Sequence, residues 1–393
     1  MNFRVPLMKH TFLHEEETKK ALADFILHAG RLSMGKECEL FEKKFAAYQG
    51  RRFAVLFNSG GSANLAMIQA LKNQGKLKDG DKAGFSAITW STNTMPIIQL
   101  GLEPVALDCD TSTLNVHSSH IKTALKDHDF KLVFLTNVLG LTGDLDVINR
   151  LCADKGIIVL EDNCESLGTE VYGSKAGNFS LASSFSFFVA HHMSTIEGGM
   201  VCTDDEDFYE MLKIVRANGW DRNLEPHQQE KWRSNFGIAS AFEASYTFYD
   251  LGYNLRPTEI TGFLGVYQMR FLEDNIRTRK GNFERVQEVV KKNPDFQPLE
   301  YSHIQLLSGF AFPFVTKTPE LRKKYIDKFI TAGVEIRPLI AGNMQKQPFY
   351  RKYDSKTYDL PGADHLHTCG FYTGNYPELT EEDIQLIISC IEP

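Results

Sequence analysis

At 393 residues and 42% hydrophobic content, the chain has enough apolar material for a large core, and for two lobes rather than one. Lys and Arg total 43 against 50 Asp and Glu, a net charge of -7, which gives no basic face for a nucleic-acid partner. There is no run of about 18 apolar residues, and the opening residues lack the apolar core of a signal peptide, so a cytoplasmic protein without a membrane span is expected.

Apolar positions at helical spacing predict helices over 16–29 and 36–48. Phe53-Ala54-Val55-Leu56-Phe57 reads as a short strand, the turn Asn58-Ser59-Gly60-Gly61-Ser62 follows at once, and a helix is expected from 63 to about 71. Further strands are predicted at 105–107, 132–135 and 157–160, with helices near 118–127 and 145–154. Short, fully apolar strands separated by helices imply an α/β fold with a mainly parallel sheet covered on both faces. Residues 184–200 read as a strand, a turn holding His191 and His192, and a Gly198-Gly199 pair leading into Met200-Val201-Cys202. The polar stretch 221–235 is expected to be a mobile surface loop. After about residue 250 the rhythm changes. Pro257 is positioned to open a long helix carrying Ile260, Phe263, Leu264, Val266, Tyr267, Met269 and Phe271. Strands at 309–315 and 334–337 and a helix near 380–391 complete a smaller α/β lobe, giving lobes of 1–255 and 256–393.

Three segments carry chemistry. The Asn58–Ser62 turn lies between a strand and a helix. Its glycines would let backbone amides and a helix dipole hold a phosphate, or it is an ordinary turn capped by Ser62. Glu161-Asp162-Asn163-Cys164-Glu165 follows a buried strand, where ligands bind in open α/β sheets; an Asp there pairs with a protonated ring nitrogen or caps a helix. The adjacent histidines could move protons, or one could be structural; no third ligand stands at a telling distance for a metal. The seven cysteines are odd in number, with no CxC or CxxC spacing, and read as reduced core thiols without a zinc or iron–sulfur signature.

Taken together, Ser59-Gly60-Gly61-Ser62-Ala63-Asn64, Trp90-Ser91-Thr92, Glu161–Ser166, Glu197-Gly198-Gly199, Asn218-Gly219-Trp220-Asp221-Arg222-Asn223 and Gly252-Tyr253-Asn254-Leu255-Arg256-Pro257 resemble the sugar aminotransferase family of the aspartate-aminotransferase fold. The segments keep the family's order over nearly the whole chain. The resemblance implies a pyridoxal-phosphate (PLP) fold with 1–255 as the cofactor-binding domain. Gly60, Gly61 and Ser62 would hold the cofactor phosphate, with Ser186 adding a hydroxyl. Trp90 would stack on the ring unless it is a core aromatic; Asp162 would meet the ring nitrogen and Glu165 the ring hydroxyl. Asn254 would reach the phosphate of a neighbouring subunit, implying a homodimer. Arg222 and Arg256 would touch substrate, though they read equally as surface charges; His192 would touch substrate or pack behind the turn. Gly61 departs from the family, which commonly has serine there.

Most members carry a lysine six residues before the Glu of Glu-Gly-Gly. Here that position is His191, and the His-His variant resembles nucleotide-sugar 3-dehydratases of deoxysugar and O-antigen lipopolysaccharide biosynthesis. Histidine cannot link covalently to the cofactor but can still carry a proton. The resemblance therefore implies non-covalently held pyridoxamine phosphate (PMP), with His191 as catalytic base and acid. The expected substrate is a 4-keto-6-deoxy sugar, GDP-linked 4-keto-6-deoxymannose by resemblance, which would lose its C3 hydroxyl. Ammonia would be released and L-glutamate would restore the cofactor. A related CDP-sugar enzyme also uses a cysteine-bound iron–sulfur cluster, which the cysteine spacing here does not supply. Two other readings remain: a sugar aminotransferase that tolerates histidine, and a catalytically silent cofactor-binding regulatory protein.

Overall fold

The computed structural model describes residues 3–9 and 11–392. Helix α1 (Glu15–His28) opens on three glutamates, which suit the positive end of a helix dipole. Helix α2 (Lys36–Gln49) stops at Gly50, whose φ of 77° is a left-handed conformation that glycine adopts without strain. Then the alternation begins: β1 (Phe53–Phe57), α3 (Gly60–Asn73), β2 (Lys82–Ser86), α4 (Ser91–Gln99), β3 (Glu103–Leu107) and α5 (Ser118–Ala124). It continues with β4 (Phe130–Thr136), α6 (Leu145–Ala153) and β5 (Ile158–Asp162). A minor hairpin of β6 (Glu170–Val171) and β7 (Ser174–Lys175) precedes β8 (Ala182–Ser186) and β9 (Gly199–Thr203).

The central sheet has the order β1-β9-β8-β5-β4-β2-β3. Strands β3, β2, β4, β5 and β8 run parallel, and β9 runs antiparallel to both β8 and β1. The expected parallel sheet with helical covers is present. Strands β8 and β9, buried on both faces, carry only apolar and small residues. Because β1, β4, β5 and β8 point the same way, their C-terminal ends bring Ser59, Thr136, Asp162 and Ser186 to one cavity.

Helices α7 (Glu206–Arg216), α8 (Pro226–Asn235), α9 (Ala241–Ala244), α10 (Glu259–Gln268) and α11 (Leu272–Val290) follow. Helix α8 corrects the loop expected over 221–235. Pro226 stands in its first turn, Glu225 and Gln228 form a capping box, Arg233 pairs with Asp221 at 2.7 Å, and the Trp232 indole N–H donates to Glu210 at 2.9 Å. Polar contacts hold this helix, so it lacks the apolar stripe by which a helix is read. The long helix expected from Pro257 is also corrected: Thr258 caps α10, accepting from the Thr261 amide, and a 3-10 turn at Met269–Phe271 separates α10 from α11.

Strand β10 (Ile304–Leu306) joins β6. The C-terminal part contains β11 (Ala311–Val315), α12 (Pro319–Ala332), β12 (Ile336–Pro338), α13 (Pro348–Tyr353), α14 (Pro361–Cys369), β13 (Gly370–Gly374) and α15 (Glu381–Ile391). Its antiparallel sheet, β11-β13-β12, carries Phe314 and Phe371, whose rings lie 5.1 Å apart and pack on Phe329 of α12. Among the described residues, no helix is long and apolar enough to cross a membrane.

Candidate active site

The turn after β1 is tightly built. Ser59, not Ser62, is the cap: its Oγ accepts from the Ser62 amide at 3.0 Å, so α3 starts at Gly60, three residues earlier than expected. A Cβ on Gly60 would lie 2.7 Å from Ser186 Cβ and 3.1 Å from Cys164 Sγ. A Cβ on Gly61 would meet Thr92 Cγ2 at 3.0 Å, a tight contact with the end of a side chain. The first-turn amides of α3 therefore face the cavity without intervening side chains, at the positive end of a helix dipole. Gly60, Gly61 and Ser186 line that cavity; the Ser62 hydroxyl stands just behind, accepting from Ser59 Oγ at 3.0 Å.

The cavity measures about 680 Å³. On its floor, at the end of β5, Asp162 is buried and held by three donors. Asn64 Nδ2 and Asn93 Nδ2 reach its Oδ2 at 2.9 and 2.8 Å, and the Cys164 amide reaches its Oδ1 at 2.9 Å. Its carboxylate is thereby fixed in orientation. Trp90, at the start of α4, lines the cavity yet is 57% exposed, so core packing does not account for this indole. Glu165 Oε2 accepts from the Leu139 amide at 3.0 Å. Burial pushes the Glu165 carboxyl up to about 8, against the pull of that amide, and the negative charge of Asp162 adds to the rise.

The histidine turn connects β8 to β9 and is tied at both ends. The Phe187 amide donates to Gly198 O, and the Thr195 amide to Phe187 O, each at 2.9 Å. His191 lines the cavity, its ring 5.2 Å from that of Phe310, and its Nδ1 has no partner. Burial pushes its imidazole down to about 4; the Cys164 backbone opposes this and the charge of Arg279 adds to it. His192 is placed differently. It is fully buried behind the turn, its Nε2 is 3.1 Å from Ser308 O, and its own carbonyl accepts from Asn275 Nδ2. Burial, then Arg279, drives its pKa well below the ordinary histidine value.

Asn254, Arg222 and Arg256 stand apart from the cavity within one chain. Asn254 Oδ1 accepts from Arg256 Nε at 3.0 Å, and the Arg222 guanidinium lies 4.0 Å from the Trp220 ring centre. Sequence reasoning missed Arg279, Phe310, Arg337 and Tyr372, which close the cavity from α11 and the C-terminal sheet, and the two asparagines on Asp162. Arg279 is 3% exposed; its Nε donates to Asn275 Oδ1 at 2.8 Å and its Nη1 to Phe310 O at 3.0 Å. It sits on the buried face of α11 with Leu272, Ile276, Phe283 and Val286. A cation at an apolar helical position was the available signal.

The family described as DegT/DnrJ/EryC1/StrS aminotransferases matches residues 13–392. Two relatives are GDP-4-keto-6-deoxy-D-mannose 3-dehydratases. The Yersinia pseudotuberculosis protein is 33% identical over 93% of each chain. That of Escherichia coli O55:H7 is 35% identical over 91% of this chain and 92% of its own. A solved GDP-4-keto-6-deoxymannose-3-dehydratase with a trapped PLP-glutamate geminal diamine superimposes with a TM-score of 0.91 at 33% identity, over 99% of this chain and 100% of that one. The chain belongs to the DegT/DnrJ/EryC1/StrS aminotransferase family.

Proposed function

We propose that this chain is a PLP/PMP-dependent nucleotide-sugar 3-dehydratase that removes the C3 hydroxyl of GDP-4-keto-6-deoxy-D-mannose, with L-glutamate as amino donor. The relatives' names support the sugar and nucleotide, and the PLP-glutamate adduct in the solved relative supports the donor. The observation that carries the reading is an unlinked imidazole, His191, facing a cavity that also holds a glycine-lined helix start and a buried carboxylate.

The residues present fit pyridoxamine phosphate. At Gly60 the cradle has no room for a side chain and at Gly61 it is tight, which suits close approach of an anion to backbone amides. Asp162 is an oriented acceptor for a ring N–H, and the exposed Trp90 indole offers an aromatic face. When bound, the cofactor supplies a primary amine for the 4-keto group and a pyridinium ring that draws off electrons. The protein's part is binding and proton transfer. Gly60, Gly61, Ser62 and Ser186 hold the phosphate. Glu165, protonated at neutral pH because burial holds it near 8, donates to the ring oxygen. His191, neutral at the same pH, takes a proton on its imidazole and delivers it to the departing hydroxyl.

We further assign a cytoplasmic homodimer in which Asn254 reaches the partner's cofactor phosphate, and lobes of 1–255 and 256–393. Arg222 and Arg256 are assigned to the nucleotide sugar of the assembled site, and His192 supports His191 from behind. The test is incubation of purified protein with PMP, glutamate and GDP-, CDP-, UDP- and dTDP-linked 4-keto-6-deoxy sugars. A deoxygenated product with ammonia release is expected from the GDP sugar; an amino sugar without ammonia would replace this reading with aminotransfer.

A further inference from the structure

Strand β1 is the outer strand of the central sheet, so alternate backbone groups face an open edge. At Leu56 that edge is closed by side chains. Glu42 Oε1 accepts from the Leu56 amide at 2.7 Å, and Arg216 Nη1 donates to the Leu56 carbonyl at 2.7 Å and to Glu42. Both side chains are buried, Arg216 completely. The next edge amide, Asn58, donates to Leu255 O at 3.0 Å, and the Leu255 amide donates to Arg216 O at 3.0 Å. Arg216 thus holds the edge directly at Leu56, through its guanidinium, and indirectly at Asn58, through the main chain of Leu255. From Asn58 the chain passes directly into Ser59, Gly60 and Gly61.

We propose that the Glu42–Arg216 pair is a positioning device for the phosphate turn, setting how far β1 carries Gly60 and Gly61 toward β8. The inference rests on the reading that this turn holds the cofactor phosphate. Gly60 already sits so close to Ser186 that a methyl group has no room, so displacement of β1 by a fraction of an ångström changes how the amides converge. Burial alone does not explain the arginine: its Nε and Nη2 have no partner, which an apolar side chain would avoid. What it supplies is the clamp on a backbone carbonyl two residues before the turn.

The experiment compares the affinity of purified full-length protein for PMP and for pyridoxamine, which lacks the phosphate, by fluorescence titration. Arg216→Lys keeps a cation beside Glu42, but its shorter side chain withdraws the Nη1 donor from the Leu56 carbonyl; Glu42→Gln keeps the acceptor and removes the charge. Each variant is expected to weaken PMP binding by about tenfold while leaving pyridoxamine affinity unchanged. Val286→Ala, a core truncation in α11 remote from the edge, is the control: it should lower the melting temperature without changing the ratio of the two affinities. A ratio unchanged in both edge variants, or changed equally in the control, overturns the positioning role. Failure of the unaltered protein to bind PMP would instead remove the reading on which the inference rests.

Discussion

Replacement of His191 by Asn removes the proposed proton carrier while keeping a polar side chain of similar reach. The structure sets the scale of the effect. With its imidazole held down to about 4, His191 is neutral over charged by about a thousand to one near pH 7, against roughly three to one for an ordinary histidine. Essentially every molecule therefore starts with the base form, and its removal exposes the whole contribution of proton transfer, about 10²- to 10⁴-fold in turnover. The assay is ammonia release from GDP-4-keto-6-deoxy-D-mannose with glutamate, together with a fluorescence titration of PMP. Turnover should collapse while PMP affinity stays within about threefold of the original, because the phosphate turn and Asp162 are untouched. The same numbers give a pH profile for the unaltered enzyme: activity rises through about 4 as His191 loses its proton and falls through about 8 as Glu165 loses its own. If His191→Asn remains active and His192→Asn is dead, the proton carrier is His192 and the argument from spacing is wrong by one residue.

Reduction with borohydride after addition of pyridoxal phosphate should leave the intact mass of the chain unchanged, because no lysine replaces His191; a mass gain mapped to a lysine would refute non-covalent binding. Asp162→Asn should retain the fold but slow turnover by orders of magnitude, since an amide cannot keep the ring nitrogen charged; an unchanged rate would reduce Asp162 to an organiser of Asn64 and Asn93. Light scattering should report a dimer, and a fully active monomer would contradict the role given to Asn254. Stability should fall as the pH drops below about 6.5, because the unfolded chain then binds a proton that buried His192 refuses, its folded value being depressed. Urea midpoints at pH 7 and pH 5 should differ less in His192→Asn than in the unaltered protein, and an equal difference would locate the proton uptake elsewhere.

Local chemistry made much of the site legible in the sequence. Asp162 was readable because a carboxylate directly after an apolar strand has few places to go except the strand's C-terminal end. The turn after β1 was readable from its glycines, although its cap was not: Ser59 and Ser62 offer the same hydroxyl, and only the direction of the Ser62 amide chooses between them. Helix α8 was not legible, since its stability comes from Arg233–Asp221 and Trp232–Glu210, partners that apolar periodicity does not register. Arg279 was missed for a related reason. Its worth depends on Phe310 and Asn275 meeting it in space, and Phe310 lies 31 positions away in the chain. The different fates of His191 and His192 also needed the fold: two identical rings side by side diverge because one meets a cavity and the other Ser308.

The connection that carries His191 is fastened on either side of that residue by bonds that do not use its side chain: Phe187 to Gly198 and Thr195 to Phe187 through the main chain, and the His192 carbonyl to Asn275 Nδ2. The sheet is therefore indifferent to the reaction performed. Exchange of the side chain at 191 leaves each of those bonds in place, so what stands at that position is free to be set by the chemistry in the cavity.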